Sequence, residues 1–300
     1  MYFPFMRGKQ FELKALREIA NAIKDKCIPI IEPVKLNTKP LETSIMALNK
    51  SNIIPIVIVN PEIGELKDKP QHIENTLSLN KDLKFIPCLK YSGDVNLMNS
   101  RNLSDYAIYV ESGVNKEFIK LVKENNPIYT IMPEASPKIV LQSTKNIVVI
   151  SDPFQKKKRN ADYPIKSFYS DIHTRYSNIS EHVIGFSDFT IVGSDFAESG
   201  GPAYVVTIHV SHIDENEFDA MSIKHYSSQD DQSTSNPGGK FLQALTKLVT
   251  EHQNNPTLFD NTIGLQGFKA LNSRRHYPGL GEVKKLSMEH HIETMTNYIQ

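Results

Sequence analysis

The stretch IPIIEPVK at residues 28–35 shows the feature on which the fold prediction depends, a short apolar run, rich in β-branched residues, that carries Glu32 and Lys35 toward its end. Seven further runs of similar character follow along the chain. They are IIPIVIVNP (53–61), KFIPCLKY (84–91), YAIYVES (106–112), PIYTIMPE (127–134), IVVISDP (147–153), VIGFSDFT (183–190) and AYVVTIHVSH (203–212). Each has the length and composition of a strand buried on both faces, and most intervals between them can hold a helix.

This alternation predicts an α/β fold, a TIM-like (β/α)8 barrel in which functional side chains project from the carboxyl ends of the strands. An N-terminal helix at about 8–25 should cover the bottom of the barrel. We expect distortion around strands 7 and 8, because the connection IVGSDFAESGGPA (191–203) is too rich in glycine for a standard helix. The segment MSIKHYSS (221–228) looks like a hairpin partner of strand 8.

The expected domains are an α/β barrel at 1–256 and a C-terminal helical extension, 257–300, packed on it. An open doubly wound sheet is the alternative architecture, but no glycine-rich phosphate motif follows the first strand. Lys plus Arg and Asp plus Glu each number 34, so the balance of charge disfavours a wholly basic nucleic-acid-coating surface while leaving room for a local basic patch.

Cysteine content and the N-terminus indicate a cytoplasmic protein. Cys27 and Cys88 lie in apolar runs, which is typical of buried thiols in a reducing compartment. Arg7, Lys9 and Glu12 interrupt the N-terminal stretch before a signal-peptide core can form. No run approaches the roughly 20 apolar residues that a membrane crossing requires, so no membrane contact is expected.

Carboxylates at strand ends are the main candidates for chemistry. By strand alternation Glu32, Asp152 and Asp188 each share a side with apolar residues of their run, and they converge at the mouth if those sides face the barrel axis. Oxygen ligands of this kind suit Mg²⁺ or Mn²⁺. Crowded carboxylates beside lysines could equally perform acid–base catalysis. The alternative is that these groups are solvated strand ends without a function.

Further polar side chains occupy comparable positions at the ends of the runs. They are Lys35, Asn60, Lys90, Glu111 and Glu134. Lys90 is a candidate catalytic residue, and Schiff-base chemistry at Lys90 or Lys35 is a third option that would require a desolvated lysine.

A glycine-rich loop and a basic loop together indicate a candidate phosphate-binding site. Gly193, Gly200 and Gly201 lie between strands 7 and 8, where many barrels bind phosphate through backbone amides. The basic run KKKR after strand 6 contributes Lys157 and Arg159, which could hold a phosphate or a nucleic-acid backbone. The alternatives are a tight connection for the glycines and a solvated loop for the basic run.

His209 is a candidate catalytic residue at the end of strand 8. His225 on the expected return strand could approach either His209 or His212. His209 and His212 lie three residues apart on a strand and therefore face opposite sides, which is not a metal-binding pattern. Packed or surface histidines are the alternative.

The N-terminal stretch FPFMRGKQFELKALREI (3–19), followed by PIIEPVK (29–35), resembles the opening of the Beta protein family of phages and bacteria. The matching positions are Pro4, Lys9, Gln10, Glu12, Ala15, Leu16 and Glu32. The segment GFSDFTIVG (185–193) is similar to the family's Gly-x-x-Asp-aromatic-Thr motif, which places Asp188 in it. The segment GGPAYVVTIHVSH (200–212) and the KF-x-x-AL helix after it are similar to a bacterial subgroup.

This resemblance implies a role in phage–host conflict, because bacterial members of the family travel with mobile elements and sometimes neighbour a nuclease. It assigns no reaction, and its shared polar positions are Lys9, Glu12, Glu32 and Asp188. Lys9 and Glu12 lie about one helical turn apart, which predicts a surface ion pair; the alternative is that this turn covers the barrel and contacts a partner.

The leading hypothesis is a divalent-metal-dependent hydrolase of phosphate esters, acting on a nucleotide or nucleic acid. Glu32, Asp152 and Asp188 would bind the ion or act as acid and base, with Lys90 and His209 as further catalytic residues. The rival is a non-catalytic module that docks a partner protein such as a nuclease through residues 257–300.

Overall fold

A computed structural model describes residues 1–93, 105–198, 201 and 204–299 of the chain. Contacts group Met1–Asp152 with Arg175–Phe189 into one compact unit, and Pro153–Thr174 with Thr190–Gln300 into a second. This grouping differs from the expected division at residue 256. We call the first the barrel unit and the second the sheet–helix unit.

The strands form an eight-stranded parallel sheet and a separate three-stranded sheet. The parallel sheet contains β1 (Phe5–Met6), β2 (Ile30–Ile31), β3 (Ile56–Ile58), β4 (Ile86–Tyr91), β5 (Ala107–Val110), β6 (Tyr129–Pro133), β7 (Ile147–Ser151) and β9 (Val183–Asp188). The second sheet has the order β10 (Thr207–Asp214), β11 (Ala220–Ser227) and β8 (Lys166–Ser170).

Helices alternate with the barrel strands and then close the chain. They are α1 (Gln10–Ile19), α2 (Lys39–Lys50), α3 (His72–Leu77), α4 (Lys116–Asn125), α5 (Lys138–Ser143), α6 (Ile172–Arg175), α7 (Pro237–Asn254), α8 (Ile263–Arg274) and α9 (Leu280–Tyr298). Single 3₁₀ turns lie at Gly64–Leu66, Asn160–Asp162, Tyr176–Asn178 and Glu215–Glu217. The sequence predicts at most a turn of helix at 93–104, a stretch of which only Gly93 belongs to the described residues.

The parallel sheet is a nearly closed barrel, which confirms the predicted distorted TIM-like fold. Tyr2 makes parallel bridges to both Cys27 and Phe186, so the chain before β1 reaches the last strand. At this seam the amide of Phe3 donates to the carbonyl of Phe186 at 2.9 Å. An interior cluster of alternating residues, including Phe5, Ile56 and Ile150, fills the barrel.

The assignment of the first and eighth strands was wrong. The run at 28–35 contains the second barrel strand, because the N-terminal FPFM supplies the first. The run at 203–212 belongs to the three-stranded sheet, where β10 pairs antiparallel with β11. That pairing confirms the predicted hairpin, and the hairpin is what removes this run from the barrel.

The sheet–helix unit packs its three strands against α7, α8 and α9. Its apolar core combines Ile208, Val210 and Tyr226 from the sheet with residues such as Phe241 and Phe268 from the helices. The helical character expected for residues 257–300 is confirmed by α8 and α9. Among the described residues, no helix combines the length and hydrophobicity that a membrane crossing requires.

Substitution of Gly185 tests how tightly the barrel seam is closed. A Cβ at this position would lie 2.5 Å from the Phe3 ring and 2.6 Å from the Met1 carbonyl oxygen. Gly185→Ala should therefore lower the free energy of unfolding by about 2 kcal/mol through overpacking. Gly201→Ala is the control, because a Cβ there meets nothing within 4 Å. Urea unfolding measures both, and equal stability of the two variants would contradict a closed seam.

Glu293 should make the stability of the sheet–helix unit depend on pH. Its Oε2 accepts a hydrogen bond from the Ile263 amide at the start of α8, at 2.8 Å. Burial, the largest cause, raises the pKa of Glu293 to about 7. Since the folded state holds this proton more tightly, the stabilisation is complete below the unfolded pKa and is lost as the pH rises toward 7.

The loss for Glu293 should be on the order of 3 kcal/mol between pH 4.5 and pH 7. Thermal or urea unfolding across this range measures it, and Glu293→Gln should flatten the slope. A Glu293→Gln profile parallel to the wild type would refute the assignment.

Candidate active site

Arg7 and Glu32 form a buried ion pair at the carboxyl ends of β1 and β2. The Glu32 side chain is fully buried and pairs with Nη1 of Arg7. The Arg7 guanidinium lies over the rings of Phe5 and Phe189, with its Cζ 5.2 and 5.5 Å from their centroids. Burial lowers the pKa of Arg7 from its usual value, yet an arginine remains charged.

Gly8 allows this approach of the two strands. It has a φ of +63°, and a Cβ there would lie 3.1 Å from the Glu32 carbonyl oxygen. The first turn of α1 places Glu12 near Arg7. Oε2 of Glu12 accepts a hydrogen bond from the Arg7 amide. Glu12 is only 5% exposed, so the expected surface position for this residue was wrong.

Lys90 joins the pair from the end of β4. Its ammonium lies 2.9 Å from Oε1 of Glu111, 3.7 Å from Oε1 of Glu32 and 3.9 Å from Oε2 of Glu62. Lys90 is 5% exposed and Glu32 is fully buried, whereas Glu62 and Glu111 are about half exposed. The inner part of the site therefore holds the buried charges of Glu32 and Lys90. The carboxylates of Glu62 and Glu111 form a rim in contact with solvent.

Asn60 fixes the backbone of Lys90. The Lys90 amide donates to Oδ1 of Asn60 at 2.8 Å, and Nδ2 of Asn60 donates to the Lys90 carbonyl at 3.0 Å. The side chain of Asn60 thereby continues the hydrogen bonding between β3 and β4 past the last paired residues, Ile58 and Cys88. Asn60 is 1% exposed, so this support lies inside the barrel end.

An aromatic layer lies next to the charges. Phe5 contacts Tyr109 and Phe189, with ring centroids 5.2 and 4.8 Å apart. Burial, followed by the charge of Glu111, raises the pKa of Tyr109 to about 12. Tyr109 is thus a neutral hydroxyl at physiological pH, and its apolar surroundings reduce solvent screening of the Arg7 charge.

Asp152 lies beside a pocket at the ends of β6 and β7. Pro133, Glu134, Ile150 and Asp152 contribute to the lining of this pocket of about 420 Å³. Asp152 is exposed, and its charge acts on Arg7. Of the three predicted carboxylates, Glu32 is ion-paired with Arg7, and the charge of Asp152 also acts on this guanidinium. The neighbouring Glu134 forms an ion pair with Arg175 at 2.7 Å.

The side chain of Asp188 lies on the outer face of its strand, away from the barrel interior. The register between β7 and β9 shifts after Ile147–Val183, so that Ile150 lies opposite Ser187 and Ser151 opposite Asp188. Ile150 belongs to the barrel interior, and so does Phe189, the residue after Asp188. Alternation therefore directs Asp188 outward, where its Oδ1 accepts a hydrogen bond from the Tyr2 hydroxyl at 2.8 Å. The expected convergence of Asp188 with Glu32 was wrong.

The predicted phosphate-binding residues belong to the sheet–helix unit. Arg159 is ion-paired with Asp162 at 2.5 Å. The Lys157 amide donates to the Tyr163 hydroxyl at 3.2 Å. Gly193 is buried with a φ of +78°, and Gly201 is exposed. Gly200 lies outside the described residues, and phosphate binding by these loops stays a prediction.

The predicted histidine also belongs to the sheet–helix unit. His209 lies directly opposite His225 across the β10–β11 pair, and a hydrogen bond of 2.7 Å joins their Nδ1 atoms. His212 faces the other side and lies 3.7 Å from Oδ2 of Asp214. The expected approach of His225 to one of the two histidines is thus confirmed for His209.

The composition of the barrel end indicates what it can do chemically. Within the described chain, no group of three or more His, Cys, Asp or Glu side chains is arranged to hold a metal ion. Cations of the protein compensate Glu32 instead, and carboxylates outnumber them once Glu62, Glu111 and Asp152 are counted. Burial raises the pKa of the Cys88 thiol, which disfavours a nucleophilic thiolate there.

Sequence reasoning missed Arg7 and Glu62 as site residues. The rule that selected Glu32 and Lys90, a polar residue at the end of an apolar run, also applies to FPFM followed by Arg7. Recognition of that stretch as a strand would have identified Arg7. Glu62 comes directly after the run at 53–61 and four residues past the end of β3, so a rule that takes the last residues of each run does not include it.

Lys90→Met tests the buried charge cluster. It leaves Glu32 with less compensation in a buried site, which should lower the free energy of unfolding by about 3 kcal/mol. The matched control is Lys35→Met, since Lys35 pairs with Glu65 at the same 2.9 Å but is 57% exposed, and we expect little change there. Urea unfolding compares them, and a Lys90→Met protein as stable as the control would disprove the cluster's role.

Comparison with family models and with curated proteins found no match to this chain. The resemblance to the Beta protein family therefore stays a prediction.

Proposed function

We propose that the barrel unit is an enzyme that performs acid–base chemistry on a phosphate-bearing substrate. The site is the cluster formed by Lys90 with Glu32, Glu62 and Glu111. The observation that carries the proposal is the position of Lys90, a buried ammonium at the carboxyl end of a barrel strand with carboxylates from neighbouring strand ends around it. Buried charges cost folding free energy, and such arrangements concentrate at functional sites. The carboxyl ends of barrel strands are also where this fold carries catalysis.

Lys90 and Glu111 have the geometry of an acid–base pair. Their charged atoms are 2.9 Å apart, and Glu111 is 47% exposed, so it can reach a substrate or a water molecule. In this role Glu111 accepts a proton from the attacking water, and Lys90 stabilises the negative charge that develops. Lys90 lies within 4 Å of three carboxylates, so we assign it the role of an ion-pairing cation rather than that of a Schiff-base nucleophile.

The charge of the rim bears on how a phosphate group would bind. Glu62, Glu111 and Asp152 repel a bare phosphate, whereas a divalent cation carried by the substrate would offset them. Mg²⁺ commonly takes one or two protein carboxylates and completes its shell with water and substrate phosphate oxygens. Glu62 fits that donor set, and the ion would supply charge neutralisation. The proposal therefore includes a substrate bound as its Mg²⁺ or Mn²⁺ complex.

The rival function, docking of a partner protein through residues 257–300, has less support. Most of α9 from Val283 to Thr296 is buried, so this helix offers little surface. A companion nuclease and a role in phage–host conflict rest on the family resemblance alone.

Glu111→Gln is the variant that tests the proposal. With bis-p-nitrophenyl phosphate or p-nitrophenyl phosphate and Mg²⁺, hydrolysis by the wild type should exceed that of Glu111→Gln by about a hundredfold, the effect of losing a general base. Glu65→Gln is the matched control, because Glu65 also lies 2.9 Å from a lysine and is similarly exposed. Hydrolysis that is equal in the two variants would exclude Glu111 as the base.

Thermal shift with pyrophosphate tests substrate binding independently of turnover. Stabilisation should require Mg²⁺ and pyrophosphate together and should weaken in Glu62→Gln. Stabilisation by pyrophosphate alone would refute binding as a metal complex.

A further inference from the structure

A hydroxyl and two imidazoles form a continuous hydrogen-bonded chain in the sheet–helix unit. Oγ of Ser167 lies 2.8 Å from Nε2 of His225. Nδ1 of His225 lies 2.7 Å from Nδ1 of His209. Each imidazole thus uses its Nδ1 in the hydrogen bond to the other ring. Nε2 of His225 forms the hydrogen bond with the Ser167 hydroxyl.

The pairing of strands in the three-stranded sheet places these three side chains next to one another. His209 and His225 lie directly opposite each other in the β10–β11 pair, and Ser167 on β8 lies opposite Ile223, two residues before His225. Opposite and alternate residues share a face, so the three side chains line one face across three neighbouring strands. A site that is built on paired strands is held more rigidly than one on loops.

We propose that Ser167, His225 and His209 form a second catalytic site, in which Ser167 is a nucleophile toward small carboxylic esters, His225 its general base, and His209 the group that orients His225. A nucleophile and a base within hydrogen-bond reach, with the base held by a third group, is the general arrangement for nucleophilic catalysis. The role requires His225 to carry its proton on Nδ1, donate it to Nδ1 of His209, and accept from Ser167 through Nε2.

The surroundings keep both rings in the required neutral form. Burial, followed by the charge of Lys157, lowers the pKa of His225 to about 4. Burial, followed by the charges of His225 and Lys284, lowers the pKa of His209 to about 3. Both imidazoles are therefore neutral near pH 7, which leaves Nε2 of His225 with an unprotonated lone pair toward Oγ of Ser167.

The walls of the site indicate the ligand class. The Tyr163 ring stacks on His225 with centroids 4.8 Å apart and contacts the edge of His209 at 4.6 Å. Ser167 is half-buried, and Ile165, two residues before it, is 81% exposed. An aromatic and aliphatic border beside an accessible hydroxyl suits an acyl group of modest size.

The reaction transfers an acyl group without a cofactor. Oγ of Ser167 bonds to the ester carbonyl carbon while its proton moves to Nε2 of His225. The bond from that carbon to the alcohol oxygen then breaks, and His225 returns the proton to the departing alcohol. A water molecule attacks the acyl-Ser167 in the same way, which releases the carboxylic acid and restores the serine.

The test uses the full chain with a fluorophosphonate reagent and with p-nitrophenyl acetate. We expect peptide mass spectrometry to find the phosphonate on Ser167, and we expect Ser167→Ala to abolish both labelling and ester hydrolysis. Ser227→Ala is the control, because this hydroxyl on the same sheet bonds Thr207 at 2.8 Å instead of a histidine. Unlabelled Ser167 in the wild type, or equal hydrolysis by both variants, would overturn the proposal.

A cysteine variant gives a readout that does not depend on turnover. In Ser167→Cys the neighbouring His225 should favour the thiolate, so that iodoacetamide reacts at pH 7 about tenfold faster than with Ser227→Cys. The native Cys27 and Cys88 are both buried, which limits background alkylation. Equal alkylation rates in the two variants would show that His225 does not activate position 167.

Discussion

The burial of the Arg7, Glu32 and Lys90 charges is the constraint on which the end of the barrel depends. A lone carboxylate in the position of Glu32 would be too costly to bury, so the strands that carry Arg7 and Lys90 must meet it. The first, second and fourth strands are thereby tied together at their carboxyl ends. The half-exposed Glu62 and Glu111 then complete the surroundings of Lys90 at the solvent side. Structure and proposed chemistry use the same charges.

The barrel was predictable because its strands are buried on both faces and read as continuous apolar runs. Seven of the eight runs contain barrel strands. The first strand was missed because Phe5–Met6 is only two residues long and directly precedes the predicted helix. The eighth run has the same apolar character, but its neighbour in sequence offers an antiparallel partner. A run alone does not reveal which sheet it joins.

The site was predictable as a set of strand ends, although the face of each residue was not. A regular register between β7 and β9 would have placed Ile184, Phe186 and Asp188 toward the interior. The extra residue after Val183 shifts the pairing by one and moves Asp188 to the other face. Glu32 and Lys90 follow no such shift and lie where alternation predicts. A bulge leaves no mark in the apolar pattern, which explains the error at Asp188.

The hydrogen bonds from Asn60 to the backbone of Lys90 have a consequence for recognising related chains. An aspartate has no amide to donate to the carbonyl, and a glutamine is one methylene too long for the same pair of contacts. The two positions, 30 residues apart, are therefore coupled by geometry although Asn60 bears no charge. Because Asn60 contacts only backbone atoms at position 90, a chain that carries this barrel end should keep the asparagine even where the side chain 30 residues later differs.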